Sequence, residues 1–253
     1  MAADKNTVVI LGATSGMAHA VAGEFARRGH PLVLAARNVD ETWRIAKDLA
    51  VRHNGFVHAA ELHAENYDSH SAFVEECARA APAPIEGVVL CFGFMDEPAA
   101  QKDFAIARRT IEVNFLGAVS LLNLFADQLE AKRSGWIAAI SSVAGDRGRQ
   151  SNYIYGASKA GLSAYLQGLR NRLHHAGVAV ITIKPGFVDT RMTSGIAFGP
   201  IAQRLVASPD QAGRAIYAAI AKRKNVAYVL WFWQWIMLII KSIPEFQFKK
   251  MKL

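Results

Sequence analysis

Cysteine is scarce in this chain, which has two among its 253 residues, Cys77 and Cys91. Two thiols cannot form the disulfide framework of a small secreted domain, so we expect a reducing, cytoplasmic environment. The N-terminal segment MAADKNTVVILGATSG has no basic stretch followed by a long apolar run, and we therefore expect no signal peptide. The sequence also lacks zinc-ligand spacing, internal repeats and basic-aromatic motifs, so we expect no metal site and no nucleic-acid partner.

Acidic residues are in the minority, with 21 Asp and Glu against 29 Lys and Arg. The formal net charge of +8 indicates an anionic partner, such as an acidic membrane surface or a phosphorylated substrate. The apolar stretch VAYVLWFWQWIMLII at 226–240 is shorter than the about 20 residues that a transmembrane helix needs. Hydrophobic residues nevertheless make up 52% of the chain, which is ample for a core.

Short apolar runs alternate with helical patterns along most of the chain. The runs are TVVILG, PLVLAAR, FVHAAEL, IEGVVLCFG, GWIAAISS and GVAVITIKPG. Strands that are almost continuously apolar and separated by helices predict a parallel sheet covered on both faces. No linker interrupts the pattern, so we predict one α/β, Rossmann-like, doubly wound catalytic domain over 1–230. An apolar and basic tail over 231–253 follows a last strand, and it is predicted to be helical from about Trp233.

A glycine-rich turn, GATSGMA, follows the first strand and opens the first helix. Gly12, Gly16 and Ala18 match a Gly-x-x-x-Gly-x-Gly pattern with alanine in the third place. Such glycines let the backbone approach a pyrophosphate at a helix N-terminus, which indicates a dinucleotide site. An ordinary turn with a small-residue helix packed on the sheet would give the same pattern.

The second strand ends in LVLAARN, where NAD-selective sites usually carry an acid for the ribose 2′-hydroxyl. This chain has Ala36 there, followed by Arg37, whose guanidinium could bind a 2′-phosphate. We therefore expect NADP(H) to be favoured, with NAD(H) possible. In the alternative, Arg37 is a solvated loop residue or stacks on adenine.

The segment YIYGASKAG places Tyr155 and Lys159 four residues apart, so that both project from one face of a helix. Ser142 lies thirteen positions before the tyrosine, Asn114 lies in IEVNFLG, and PGFVDT follows the sixth strand. In this order and spacing, together with the glycine turn, these motifs resemble the short-chain dehydrogenase/reductase family over nearly the whole chain.

The resemblance implies a catalytic tetrad of Asn114, Ser142, Tyr155 and Lys159. In it the lysine cation would favour the phenolate, the tyrosine would exchange a proton with the substrate oxygen, and the serine would hydrogen-bond that oxygen. Asn114 would hold a water that links Lys159 to solvent. Ser141 and Tyr153 remain alternatives for the serine and the phenol, although position 157 carries no lysine to pair with Tyr153.

The resemblance also implies a homo-oligomer and a set of cofactor contacts. Those residues are Gly12, Thr14, Ser15, Gly16, Met17, Arg37, Glu61, Leu62, Gly93, Tyr155, Lys159, Pro185, Gly186, Val188 and Thr190. Two places depart from the family. After the fourth strand LCFG replaces the usual Asn-Asn-Ala-Gly, leaving only Gly93, and Glu61 stands where an aspartate is usual, which puts the adenine contact in doubt.

The loops and the tail resemble one branch of the family, the reductases of decaprenylphosphoryl-2-keto-ribose. Arg147 and Arg149, between Ser142 and Tyr155, suit a substrate phosphate, although a solvated basic loop is the alternative. Tryptophans beside Lys241, Lys249, Lys250 and Lys252 suggest a tail lying on the inner face of a membrane. A helix that covers the core or a dimer interface would also explain it.

Three functions stay open from the sequence. The first is a membrane-associated reductase of a lipid-linked or anionic keto-sugar. The second is a soluble reductase of another hydrophobic ketone or alcohol, such as a steroid or an acyl compound. The third is a nucleotide-binding regulator without catalysis, against which the complete tetrad argues.

Overall fold

Seven parallel strands form one sheet in a computed structural model that describes residues 5–193, 203 and 205–251. The strands are β1 (Thr7–Leu11), β2 (Leu32–Ala36), β3 (Val57–Glu61), β4 (Ile85–Leu90), β5 (Trp136–Ile140), β6 (Ala179–Pro185) and β7 (Val226–Val229). Their order is β3-β2-β1-β4-β5-β6-β7, so the direction of winding reverses between β1 and β4. A crevice forms at the carboxyl ends of strands at such a point, and ligands of this architecture bind there.

Helices cover both faces of the sheet, which confirms the predicted doubly wound fold. They are α1 (Gly16–Ala26), α2 (Val39–His53), α3 (His70–Ala80), α4 (Glu97–Ala100), α5 (Phe104–Ile111), α6 (Gly117–Lys132), α7 (Tyr153–Leu173), α8 (Pro209–Ala221), α9 (Trp233–Ser242) and α10 (Glu245–Phe248). Helices α1, α2 and α8 pack on one face, and α3, α6 and α7 pack on the other.

The strands read as continuous apolar runs because both of their faces are buried. In β1, Val8 and Ile10 join the core under α1, whereas Val9 and Leu11 join the core under α6 and α7. All four side chains are fully buried. This alternation follows from the two-residue period of a strand.

The helical segment over 104–132 is interrupted near its middle. A π-helical turn, Glu112–Leu116, separates α5 from α6 and contains the buried Asn114. Single π-turns inside helices often mark functional sites, because the widened turn redirects a side chain. Here the turn carries a residue of the expected tetrad.

The tail begins beside the last strand, because β7 pairs with β6 and α9 follows directly. In α9, Trp233 and Met237 are buried and pack with Val143, which follows Ser142 in the chain. Within the described part of the chain, no helix has both the length and the apolar character needed to cross a bilayer. The predicted tail residues Lys252 and Leu253 lie outside the described residues.

Candidate active site

A cleft of about 490 Å³ opens at the carboxyl ends of the strands, where the winding reverses. The expected cofactor residues that line it are Gly12, Thr14, Ser15, Gly16, Met17, Arg37, Leu62, Gly93 and Thr190. The cleft is also lined by residues that the sequence did not predict, among them His63, Ala64, Glu65 and Arg109. These come from the segment after β3 and from α5, where no family motif marked them.

The glycine turn forms a close cradle at one wall of this cleft. Gly12 has φ +89°, and a Cβ added there would lie 2.4 Å from the backbone nitrogen of Phe92. The Ser15 hydroxyl accepts the N–H of Ala18 at 3.1 Å and so caps α1. A helix N-terminus beside closely approaching backbone suits a pyrophosphate, so these residues fit a dinucleotide cofactor.

The adenine side of the cleft has an exposed cation and no acid at the end of β2. Arg37 is exposed and lines the cleft. Glu61 does not line it, and its carboxylate lies 2.8 Å from Nε2 of His63. Glu65 lines the cleft, but its carboxylate is paired with Arg109 at 2.9 Å. Arg37 is therefore available for an anionic group.

Some residues of the segment that follows β6 line the cleft, and others are buried in the core. Thr190 lines the cleft, whereas Pro185, Gly186 and Val188 lie outside its lining. Val188 is buried, and the backbone N–H of Gly186 bonds to Val229 at 2.9 Å. A Cβ at Gly186 would lie 2.0 Å from the indole of Trp233, so this glycine makes room for the tail.

Tyr155, Ser142 and Lys159 come together at the start of α7. The Ser142 hydroxyl lies next to the Tyr155 phenol and lowers the pKa of that phenol. The Lys159 ammonium lies 5.8 Å from the centre of the tyrosine ring and donates to the Ile140 carbonyl at 3.0 Å. A Cβ at Gly93 would stand 3.6 Å from Lys159 Nζ, which connects the three residues to the cleft.

Ser141 and Tyr153, the alternatives named from the sequence, direct their side chains away from this group of residues. The Ser141 hydroxyl lies 3.0 Å from the Lys159 carbonyl and 2.7 Å from the Ser163 hydroxyl, so it packs against the backbone of α7. Tyr153 is 49% exposed, whereas Tyr155 is 9% exposed. Ser142 therefore faces the buried phenol, and Ser141 does not.

Burial controls the titration of this pair. Desolvation raises the pKa of Tyr155 to about 12, against the opposing effect of the Ser142 hydroxyl. Desolvation also lowers the pKa of Lys159 to about 8. The direction for the phenol is opposite to the one expected from the Lys159 cation, because burial removes the hydration that a phenolate needs. The phenol therefore keeps its proton at neutral pH.

The Asn114 side chain forms hydrogen bonds with two separate segments of the chain. Its amide nitrogen donates to the Phe94 carbonyl at 2.8 Å and to the Ser158 hydroxyl at 3.0 Å, and its oxygen accepts the Phe94 N–H at 2.7 Å. The Ser158 hydroxyl in turn donates to the Tyr155 carbonyl at 2.7 Å. Asn114 thereby joins the loop after β4 to the start of α7.

Glu97 is a further site residue that the sequence analysis missed. This buried carboxylate accepts the N–H of Ile154 at 2.9 Å and that of Tyr155 at 3.0 Å. No motif could have found it, because the contact joins positions 57 and 58 residues apart.

The loop after Ser142 is fixed in two directions by neighbouring residues. The buried Asp146 is paired with Lys184 and accepts the Tyr228 hydroxyl at 2.8 Å. Arg147 donates to the carbonyls of Ile240 and Ile243 at 2.7 and 2.6 Å. It also pairs with Glu245 at 3.0 Å and lies over the Phe248 ring.

The two arginines expected to bind a substrate anion therefore have different environments. The expectation for Arg147 is corrected, because carbonyls and a carboxylate of the tail occupy its guanidinium. Arg149 is half-buried, and its Nε finds no hydrogen-bond partner anywhere in the described structure. Desolvation lowers its pKa, while Asp146 opposes the shift. Only Arg149 remains suited to an external anion.

Comparison with known proteins identifies the family of the chain. A model of the short chain dehydrogenase family matches residues 6–198. An uncharacterized oxidoreductase of Mycobacterium tuberculosis is 34% identical over 248 residues, which cover 96% of each chain.

Two solved structures share the fold. A short-chain dehydrogenase from Sphingobium yanoikuyae in complex with NADPH is 24% identical, with a TM-score of 0.76 over 95% of this chain and 97% of that one. A 7β-hydroxysteroid dehydrogenase is 16% identical, with a TM-score of 0.84 over 97% of this chain and 95% of that one. From the family match and the relative's identity, the chain belongs to the short-chain dehydrogenase/reductase family of NAD(P)-dependent oxidoreductases.

Proposed function

We propose that the protein reduces a carbonyl group to an alcohol with NADPH, and that Tyr155, Ser142, Lys159 and Asn114 are its catalytic residues. The observation that carries the proposal is the buried Tyr155 phenol, which has the Ser142 hydroxyl next to it and the Lys159 ammonium 5.8 Å from its ring centre. The cofactor, when bound, supplies the hydride that reaches the carbonyl carbon. Tyr155 donates its proton to the carbonyl oxygen, and Ser142 donates a hydrogen bond to the same oxygen.

The protonation states favour reduction at neutral pH. A phenol whose pKa burial raises to about 12 holds its proton until the oxygen of the substrate gains negative charge. The cationic form of Lys159 then stabilises the resulting phenolate and offers a proton to restore it. Asn114 takes part by holding the backbone around Tyr155 and Phe94 in place.

We propose that NADP(H) is preferred to NAD(H), because Arg37 lies exposed at the rim of the cleft and no acid ends β2. One exposed, charge-assisted contact to a phosphate should change the affinity by about tenfold. Titration of both cofactors into the purified protein tests this, with the R37A variant as the comparison. Equal affinities in the wild type, or an NADP(H) affinity unaffected by R37A, would refute the preference.

The substrate we propose is hydrophobic and anionic, such as a lipid-linked keto-sugar like decaprenylphosphoryl-2-keto-ribose. Arg149 supports the anion, since its half-buried guanidinium lies on the loop between Ser142 and Tyr155 and its Nε has no hydrogen-bond partner among the described residues. A neutral hydrophobic ketone is the second candidate. It draws support from the apolar side chains of Trp233 and Met237, which pack beside Val143.

We further propose that the tail lies on an anionic membrane surface as a peripheral contact. Trp231, Trp235 and Ile239 are 73%, 56% and 67% exposed, and apolar side chains of this size are rarely left in water without a partner. Exposed Lys241, Lys249 and Lys250 lie close by in the chain, and Glu245, the acid among them, is paired with Arg147. Apolar side chains flanked by cations suit the boundary of an acidic bilayer.

The central experiment measures NADPH oxidation with a panel of carbonyl compounds. The panel contains neutral 2-alkanones, steroid ketones, phosphorylated keto-sugars and decaprenylphosphoryl-2-keto-ribose. We expect faster reduction of the phosphorylated or lipid-linked members, and loss of nearly all turnover in Y155F with NADPH affinity retained. Substantial turnover by Y155F would refute the role of Tyr155. A wild type that binds NADPH but reduces nothing would favour the non-catalytic alternative.

A further inference from the structure

We propose that Glu97 is a positioning residue for this reaction, and that it fixes the place of Tyr155 by holding the backbone at the start of α7. This inference rests on the proposed role of Tyr155. Glu97 lies on α4, in the segment that follows β4 and the cleft residue Gly93. Its side chain is 5% exposed and reaches the catalytic helix rather than solvent.

Glu97 supplies a helix cap from a distant part of the chain. The first N–H groups of a helix have no partner within the helix. In α7, Oε1 of Glu97 accepts the N–H of Ile154 at 2.9 Å, and Oε2 accepts that of Tyr155 at 3.0 Å. The local cap residue, Asn152, makes no side-chain cap hydrogen bond, and its Oδ1 is buried without a partner in the described structure. The carboxylate therefore does what a local cap usually does.

The carbonyl group of Tyr155 is also connected to the segment that contains Glu97. The Tyr155 carbonyl accepts the Ser158 hydroxyl, which in turn accepts an N–H of Asn114. Asn114 also binds both backbone groups of Phe94, three residues before Glu97. Both backbone groups of Tyr155 are thus connected to the 94–97 segment. Because Phe94 lines the cleft, these contacts set the phenol relative to the cofactor site.

Helix stability alone does not explain a charged cap at this place. Among the described residues, no lysine, arginine or histidine forms an ion pair with Glu97. Burial of an unpaired carboxylate is costly, even with two N–H groups and the positive end of a helix to offset it. A neutral cap from Asn152 would satisfy such an amide at a lower desolvation cost. A carboxylate that accepts two N–H groups at once holds the backbone of Tyr155 rigidly, which explains why a charged residue, Glu97, caps this helix.

The experiment compares E97Q and E97D with D96N, which alters the neighbouring, exposed cap of α4. In E97Q one of the two acceptors is lost, so exchange of the Ile154 and Tyr155 amides should quicken. We expect kcat for the fastest compound of the panel to fall on the order of tenfold, with NADPH affinity within about twofold of wild type. E97D should recover part of the rate, and D96N should behave as wild type.

A pH profile separates positioning from mere structural support. In alcohol oxidation, which needs the phenolate, the midpoint of the pH profile should shift in E97Q and return towards the wild-type value in E97D, because a displaced phenol titrates in different surroundings. A folded E97Q with unchanged kcat, profile and amide exchange would overturn the proposal, as would equal loss of kcat and NADPH affinity in all Glu97 variants. If the wild type reduces no compound, the proposed function fails, and the amide exchange still decides whether Glu97 holds Tyr155.

Discussion

Helices α7 and α9 flank the same loop, residues 143–149, but they differ in what they bury. α7 buries polar Ser158 and Lys159 as well as its apolar residues, and each of these polar groups has a hydrogen-bond partner. α9 is the more apolar helix, yet only Trp233 and Met237 among its residues are buried.

The difference shows that burial here follows the function of a helix more closely than its hydrophobicity. The buried polar groups of α7 belong to the proposed catalytic site, and hydrogen bonds offset their desolvation. Apolar groups stay outside on α9, where they form a surface suited to another apolar phase. The loop between the two helices joins a buried chemical site to an exposed surface.

The largest expected effect comes from breaking the contact of the loop with α7. A Cβ at Gly145 would lie 2.6 Å from the carbonyl carbon of Lys159 and 2.7 Å from the nitrogen of Ala160. Backbone cannot yield locally, so G145A should displace Ser142 from the phenol and lower kcat/KM on the order of 1,000-fold. G148A is the matched control, because nothing lies within 4 Å of a Cβ there. Similar activity of the two variants would contradict the close packing of loop and helix.

The next effect comes from breaking the contact of the loop with the tail. R147A removes the hydrogen bonds to the Ile240 and Ile243 carbonyls and should cost roughly 3 kcal/mol of unfolding free energy in urea titrations. Amide exchange should quicken over 233–248. R149A, two residues away, removes no hydrogen bond between its guanidinium and a described residue, and it should change stability by less than about 0.5 kcal/mol. Equal losses in the two variants would mean that Arg147 does not hold the tail.

A smaller effect is expected when the exposed side of the tail is changed. Each lysine near an acidic surface contributes about 1 kcal/mol, so K249Q/K250Q should weaken sedimentation with phosphatidylglycerol vesicles by about 30-fold. Binding should also fall with salt, and phosphatidylcholine vesicles should bind poorly. K222Q/K224Q, directly before β7 and so at the opposite end of that strand from the tail, is the matched control. If the protein ignores anionic vesicles and tail deletion breaks an oligomer in ultracentrifugation, the surface is a subunit interface.

The sequence predicted the sheet and the meeting of Tyr155, Ser142 and Lys159, because these depend on local periodicity and on motifs at strand ends. It could not predict contacts between distant positions. Glu97 reaches Tyr155 across 58 residues, and Arg147 reaches Ile243 across 96. The sequence also could not predict the direction of the Tyr155 pKa shift, because the hydration of a phenol depends on the packed surroundings and not on one neighbouring lysine.

The contact of Trp233 with Gly186 has a consequence for the variation of related sequences. The indole occupies the space that a side chain at position 186 would need, with atoms 2.0 Å from the place of a Cβ. The two positions are therefore expected to change together, so that a relative with alanine at the first carries a smaller residue at the second. In this chain a bulky C-terminal aromatic is compatible with the loop after β6 only while that loop keeps its glycine.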